Sequence, residues 1–140
     1  MSKRFDQELY NKDDAAKFFV IDFFTERYGF NVYVNPDEYG IDLIVENDRG
    51  TFGLEVEVKH NWRTVKFPFD SIHFAYRKIK FAKDPANVHF IMLSHNWTWA
   101  LLVDGETFAS SPVVSKDTIY SRNEKFIEVP SNKCRILRLY

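Results

Sequence analysis

Residues 38–62, EYGIDLIVENDRGTFGLEVEVKHNW, constrain the fold of this chain more than any other stretch. Asp42 stands in a run that is otherwise apolar and continues through Val45. The letters NDRG follow and favour a tight turn, in which Gly50 can adopt a positive φ. Glu and Val then alternate with the period of two that is typical of a β-strand. The stretch therefore predicts a β-hairpin that carries acids on both of its strands.

The size and composition of the chain predict one domain over residues 1–140. It is 45% hydrophobic and 17% aromatic, which is enough apolar material for a sizeable core. We expect a cytoplasmic protein, or one of the host cytoplasm if the gene is viral, because neither a membrane span nor a signal peptide is evident. The lone Cys134 excludes an internal disulfide and a cysteine-rich zinc site.

The charges of the chain are unevenly distributed. The net charge is −1, yet residues 1–57 contain 6 Lys or Arg and 13 Asp or Glu, whereas residues 58–140 contain 13 and 7. A chain with this polarity could gather carboxylates at one site and flank them with cations. Folding could also intermix the two halves, so the pattern alone leaves both interpretations open.

The order of the predicted elements is α-β-β-β-α-β-β, which indicates an α/β fold with a central mixed sheet flanked by helices. The first helix spans residues 13–28, with Asn11 or Asp13 as its cap, and ends at Gly29. Its apolar residues cover most of its circumference, which predicts a largely buried helix. The second helix spans residues 70–83, with Asp70 as its cap. The predicted strands are FNVYVN, YGIDLIVEN, TFGLEVEVKHNW, NVHFIMLS and WTWALLVD, followed by the late strands KFIEVP and CRILRLY.

Three charged side chains share one face of the third predicted strand. Glu55, Glu57 and Lys59 alternate with Leu54, Val56 and Val58, which can pack into the core. The turn should bring Asp42 across from Glu57, within reach of one metal ion. The competing interpretation is a hairpin with one solvated face and incidental ion pairs.

This grouping suits the hydrolysis of phosphodiester bonds. Mg²⁺ prefers oxygen ligands and keeps several waters, so one or two carboxylates suffice to hold it. The carbonyl of Val58 could supply a further oxygen. The ammonium group of Lys59 could orient the attacking water or stabilise the negatively charged transition state.

Asp42 followed by Glu57-Val58-Lys59 resembles the signature of the PD-(D/E)XK nuclease superfamily. The resemblance covers residues 10–103 and implies a restriction-endonuclease-like core and metal-dependent nuclease activity. Members include restriction enzymes and archaeal Holliday-junction resolvases. It also implies that Asp42 and Glu57 are metal ligands and that Lys59 is the catalytic lysine. Two departures are Ile41, where the family has proline, and the additional acid Glu55, which either holds a second ion or is solvated.

Many members of the superfamily carry a further metal-binding acid on the first helix. Asp14 is the candidate here, with Asp13 and Glu8 as competitors, although acids also simply favour a helix N-terminus. Glu38 could face the same site, but an exposed turn position suits it better.

Residues 60–83 form the most basic segment of the chain. Cations bind a phosphate backbone and aromatic side chains can stack on unpaired bases, which favours a nucleic-acid contact. We expect most of the aromatics, Trp62 among them, to be core residues. No function is apparent for residues 105–140. The candidate nucleic-acid-binding residues are Arg63, Lys66, Arg77 and Lys78.

Together these features predict a metal-dependent endodeoxyribonuclease that uses Mg²⁺, with Mn²⁺ as a substitute. The small size favours a structure-selective enzyme for branched or junction DNA, of phage or repair type, and the superfamily implies a homodimer. The alternative is a nuclease-like module that binds nucleic acid or protein without cutting. An RNA-directed nuclease is a third option.

Overall fold

The computed structural model describes residues 7–64, 67–119 and 121–139, with side chains from residue 14 onward. Short 3₁₀ helices span Tyr76–Ala82, Pro85–Asn87 and Ser131–Lys133. The two α-helices are α1 (Gln7–Tyr28) and α2 (Gly105–Ser110). The strands are β1 (Asn31–Val34), β2 (Leu43–Asn47), β3 (Gly50–Val58), β4 (Ser71–Ala75), β5 (Val88–Leu93), β6 (Trp99–Asp104), β7 (Val113–Lys116), β8 (Glu124–Pro130) and β9 (Arg135–Arg138).

The strands form two sheets. The main sheet has six strands in the order β1-β2-β3-β5-β6-β9, and the second has three in the order β4-β8-β7. In the main sheet β3 and β5 are parallel, whereas the other neighbours are antiparallel. The prediction of a mixed α/β fold with a central sheet is therefore confirmed.

Helix α1 covers one face of the main sheet. Val20, Phe23 and Phe24 pack against a buried cluster that includes Leu43 and Leu54 of the hairpin. The helix ends as predicted, because Gly29 has a φ of 69° and its N–H donates to the carbonyl of Thr25.

The start of α1 and the extent of its burial differ from the prediction. The helix already includes Gln7, so Asn11 and Asp13 lie inside it and neither caps it. Phe18 is 59% exposed, so the helix buries one side rather than most of its circumference.

The predicted helix over residues 70–83 is wrong in its first half. Residues 71–75 form β4, and a 3₁₀ helix starts only at Tyr76. Ile72 and Phe74 are fully buried and pair with Val129 and Ile127 of β8. Pairing with a strand more than fifty residues away in sequence overrides the local preference for a helix.

The second sheet and α2 cover the other face of the main sheet. Phe74, Phe108 and Ile127 pack in one buried cluster with Phe90 and Met92 of β5. The sequence predicts late strands at 125–130 and 134–140, which the structure places at 124–130 and 135–138, but it does not predict α2 or β7. Because the main sheet is covered on both faces, most of β5 is buried, as are residues 54–56 of β3.

None of the helices within the described ranges is long and apolar enough to cross a membrane.

Phe108 joins the second layer to the main sheet and provides a test of this packing. Its ring stacks on Phe90 at a centroid distance of 3.8 Å and is fully buried. We expect Phe108→Ala to lower the free energy of unfolding by about 3–5 kcal/mol, because the substitution leaves a cavity. Urea denaturation measures the change. Val113→Ala, at a side chain that is 49% exposed, should cost at most about 0.5 kcal/mol, and an equal loss in both variants would contradict the assignment.

Candidate active site

The register of the β2–β3 hairpin determines which acids face each other. Leu43 pairs with Leu54, and the pairing continues to Asn47 opposite Gly50. Extending this register by one residue places Asp42 opposite Glu55, so the predicted pairing of Asp42 with Glu57 is wrong. The reason is the two-residue turn between Asn47 and Gly50, since the length of a hairpin loop fixes the strand register.

Asp42 and Glu55 are held together by hydrogen bonds across the start of β2. The backbone N–H of Asp42 donates to Oε1 of Glu55 over 3.1 Å. The backbone N–H of Val56 donates to Oδ2 of Asp42 over 2.9 Å. Each carboxylate therefore accepts a hydrogen bond from the backbone of the opposite strand, and both are fixed in position.

Two lysines from outside the hairpin neutralise these acids. Nζ of Lys17 on α1 lies 3.1 Å from Oδ1 of Asp42. Nζ of Lys78, in the 3₁₀ helix after β4, lies 2.8 Å from Oε2 of Glu55 and 2.5 Å from Oε1 of Glu57. Lys78 is only 7% exposed and Glu55 only 6%, so these two charges are buried, whereas the side chain of Glu57 is 25% exposed. The result is a row of charged side chains at this end of the hairpin, in the order Lys17, Asp42, Glu55, Lys78 and Glu57.

Burial shifts the pKa values of the central pair. Desolvation raises the pKa of Glu55 to about 7; the charge of Lys78 opposes this shift and that of Asp42 adds to it. Desolvation acts to lower the pKa of Lys78, but the nearby Glu57 and Glu55 outweigh it and raise that pKa above its ordinary value. Lys78 is therefore charged, and Glu55 is an acid whose ionised form is costly unless a cation is close.

Lys59 lies beside this row without joining it. Its Nζ sits 4.9 Å from the centroid of the Phe69 ring. Burial and the charge of Lys116 lower the pKa of Lys59, and Glu57 acts in the opposite direction. Among the described residues, the ammonium group in ion-pair contact with Glu57 is that of Lys78.

The structure places the remaining candidate acids at different distances from the site. Asp14 lies 3.7 Å from Nζ of Lys17 and reaches Asp42 only through that lysine. The side chains of Asp13 and Glu8 lie outside the described part of the structure. Val58 is the last residue of β3 and pairs with Leu93. Glu38 is exposed, as expected for a turn.

The candidate nucleic-acid-binding residues differ in their exposure to solvent. Arg63 and Arg77 are exposed, and Lys66 lies outside the described residues. Lys78 is not on the surface but inside the site. Trp62 is fully buried, as predicted for a core aromatic, whereas Phe69 is 39% exposed.

The acids offer the oxygen ligands that a hard divalent cation prefers. Mg²⁺ needs only one or two carboxylates, and Asp42 with Glu55 supplies a fixed pair. Within the described ranges, no three His, Cys, Asp or Glu side chains converge closely enough to hold an ion as they stand. Lys78 links Glu55 and Glu57. Glu57 would therefore be available as a third ligand only where the ion replaced the ammonium group of Lys78 in neutralising these acids. The donor set therefore fits Mg²⁺ with two acids in place and a third one nearby.

Sequence reasoning missed the roles of the two lysines that complete the row. Lys17 follows Asp14 by three residues, which is a helical ion-pair spacing, but nothing in the sequence links it to Asp42. The sequence pattern assigns Lys78 to a basic helix face that meets DNA. Its contact with Glu55 depends on β4, which the local pattern does not predict.

Comparisons with solved structures identify the fold. Hjc, a Holliday junction resolvase from the archaeal hyperthermophile Archaeoglobus fulgidus, is 12% identical, with a TM-score of 0.52 over 86% of this chain and 85% of that chain. A nuclease from a fusselovirus is 11% identical, with a TM-score of 0.50 over 96% of this chain and 90% of that chain. No known protein family and no curated protein matches the sequence. The likeness shows that the chain has the restriction-endonuclease-like fold of these nucleases, as the sequence predicted.

The raised pKa of Glu55 predicts how stability depends on pH. Between pH 4.5 and about 7 the folded protein keeps a proton on Glu55 that the unfolded chain has released, so stability falls as the pH rises through this window. The side chain that Glu55→Gln introduces does not titrate, so this variant lacks this contribution to the pH dependence. We expect the free energy of unfolding of the wild type, relative to the variant, to fall by up to about 3 kcal/mol across the window. Urea denaturation at several pH values measures it, and a difference independent of pH would contradict the shift.

Proposed function

We propose that this protein is a metal-dependent endonuclease that hydrolyses phosphodiester bonds of DNA, with Asp42, Glu55 and Glu57 as the acids that hold Mg²⁺. Mn²⁺ is the expected substitute. The observation that carries the proposal is the row of acids and lysines at the end of the β2–β3 hairpin, centred on the buried contact of Lys78 with Glu55 and Glu57. The nuclease fold of the chain supports the same chemistry.

Each residue of the row has a distinct task in this proposal. Asp42 and Glu55 are the principal ligands, since the backbone hydrogen bonds hold both in place before the ion arrives. Lys17 orients Asp42 from α1, and Asp14 in turn contacts Lys17. When bound, the divalent ion makes water a better nucleophile and offsets the negative charge on the phosphate.

Two ammonium groups are available for the phosphate itself. Lys78 has three N–H donors, and its ammonium group would be free to contact the phosphate where a bound ion neutralised Glu55 or Glu57. Lys59 follows Glu57 by two residues, and its ammonium group is outside the ion pairs of the row. Preorganised cations at a developing negative charge lower the barrier because they need no rearrangement during the reaction. We assign Lys78 the position nearest the acids and Lys59 the contact with a flanking phosphate.

The substrate class that fits best is branched or junction DNA. One of the two similar structures is a Holliday junction resolvase, and it matches over 85% of its own length. Cutting two strands of a junction also suits the homodimer that the superfamily implies. The competing function is a module that binds nucleic acid or protein on the same fold without cutting it, and the cleavage experiment separates the two.

Cleavage of labelled four-way junction, duplex and single-stranded DNA in Mg²⁺ tests the proposal. We expect cleavage of the junction and strict dependence on the divalent ion. The rate of cleavage should fall at least about 100-fold in Asp42→Asn, Glu55→Gln and Lys78→Met, because each variant removes a charge that is held in place for the transition state. Lys59→Gln should slow cleavage less, as expected for a flanking contact.

The matched control for this series is Asp48→Asn. Asp48 is an exposed acid in the turn of the same hairpin, at the end away from the site. This variant should cleave DNA like the wild type. Cleavage in the presence of EDTA, or full activity in Asp42→Asn, would overturn the metal mechanism. Binding of DNA without cleavage in Mg²⁺ or Mn²⁺ would favour the non-cutting module.

Metal binding gives a second measurement that does not depend on activity. Lys78 competes with the ion for Glu55 and Glu57, so Lys78→Gln should bind Mn²⁺ more tightly than the wild type although it cleaves more slowly. Removing one partner of a buried ion pair also costs about 3–5 kcal/mol of stability, so folding is checked by circular dichroism. Isothermal titration calorimetry measures the affinity. Weaker Mn²⁺ binding in a folded Lys78→Gln would contradict the competition.

A further inference from the structure

Three lysines near the second sheet lie over aromatic rings. Nζ of Lys116 lies 4.8 Å from the centroid of Phe126, and Nζ of Lys125 lies 5.8 Å from that of Tyr76. The third pair is Lys59 over Phe69, at 4.9 Å. We refer to Lys59, Lys116 and Lys125 with these rings as the lysine–aromatic strip. Two of its members, Lys116 and Lys125, come from the part of the chain to which the sequence assigned no function.

Lys116 is held in a defined position on the outer face of the second sheet. Its Nζ donates to Nδ1 of His73 over 2.8 Å. Nε2 of the same ring lies 2.8 Å from Oε2 of Glu128, which fixes the tautomer with the proton on Nε2. His73 and Glu128 are directly opposite each other on β4 and β8. The ammonium group is thus positioned by a neutral ring, which does not offset its positive charge.

The acids of this region are already engaged by other groups. Glu128 accepts from His73, Oδ1 of Asp117 accepts from the backbone N–H of Asn123, and Oε2 of Glu124 accepts from Oγ1 of Thr118. In the parts of the chain that the structure describes, no carboxylate forms an ion pair with a lysine of the strip. The strip therefore presents positive charge to solvent rather than internal ion pairs.

The strip begins at the active site. Lys59 follows Glu57 by two residues, and Tyr76, the ring under Lys125, precedes Lys78 of the row by two residues. A surface with several ammonium groups requires a ligand that carries several negative charges along its length. A nucleic-acid strand whose scissile phosphate lies at the carboxylates has further phosphates on either side and meets this requirement.

We infer that the lysine–aromatic strip binds the sugar–phosphate backbone of the DNA strand that leads into the active site. The lysines contact successive phosphates, and the partly exposed rings of Phe69 and Tyr76 offer faces to bases that are not paired. The inference rests on the proposed function for the identity of its ligand. It adds a substrate-binding surface built largely by β7 and β8, outside the part of the chain that resembles the superfamily in sequence.

A binding experiment tests this surface separately from catalysis. The affinity of the full chain for labelled junction and duplex DNA is measured by fluorescence anisotropy in EDTA, over a series of salt concentrations. The doubly substituted variant Lys116→Gln/Lys125→Gln should bind about tenfold more weakly than the wild type. The slope of log K against log salt should become shallower by about 0.7–0.9 for each phosphate that the variant no longer neutralises.

The matched control is Arg27→Gln/Arg49→Gln. It removes the same charge from the end of α1 and from the hairpin turn, and Arg27 likewise lies over an aromatic ring, that of Phe23, at 5.3 Å. We expect this control to bind DNA like the wild type. An equal reduction of affinity in both double variants would show a general effect of net charge and overturn the inference.

The outcomes also separate the surface from the enzyme. If the wild type cleaves DNA but Lys116→Gln/Lys125→Gln binds as tightly as the wild type, the inferred surface is wrong and the nuclease stands. If the wild type binds DNA without cleaving it, and Lys116→Gln/Lys125→Gln binds more weakly whereas the control does not, the inferred surface is supported and the proposed nuclease activity is contradicted. Absence of DNA binding by the wild type overturns both.

Discussion

The buried ion pairs of Lys78 are the interaction on which the arrangement of this protein depends. The carboxylate of Glu55 and the ammonium group of Lys78 leave water here, which is favourable only when their geometry is good and their remaining lone pairs are satisfied. A lone pair of Glu55 is satisfied by the backbone N–H of Asp42. The geometry of the ion pair is good because the 3₁₀ helix after β4 directs Lys78 toward the end of β3. The placement of β4, and therefore of the second sheet, is coupled to the charge balance of the site.

Much of the fold and part of the site could be predicted from local patterns. The hairpin, the strands of the main sheet and the end of α1 each have a signal within a few residues, such as the alternation around Glu55 or the glycine at position 29. The register could not be predicted as readily, because NDRG is compatible with turns of different length and each choice moves Asp42 along β3. The partner of Asp42 is therefore decided by the two-residue loop that the folded hairpin selects.

The errors in residues 70–83 and beyond residue 104 have a common physical cause. β4 exists because Ile72 and Phe74 are buried against β8, and β8 lies more than fifty residues further along the chain. A sequence window cannot contain both partners, so the basic residues after Ala75 favoured a helix. The same long-range pairing brings Lys78 to Glu55 and Lys116 to His73. Contacts that define the chemistry thus depend on the least local part of the topology.

The main sheet carries the acids of the site, and the second sheet contributes cations. The main sheet is covered on both faces, and its hairpin carries the acids at one end, where rigid strands fix their positions better than loops would. The second sheet buries Ile127 against this core and turns Lys116 and His73 outward. Since Lys78 directly follows β4 and Lys116 ends β7, one structural unit neutralises the acids from inside and presents positive charge outside.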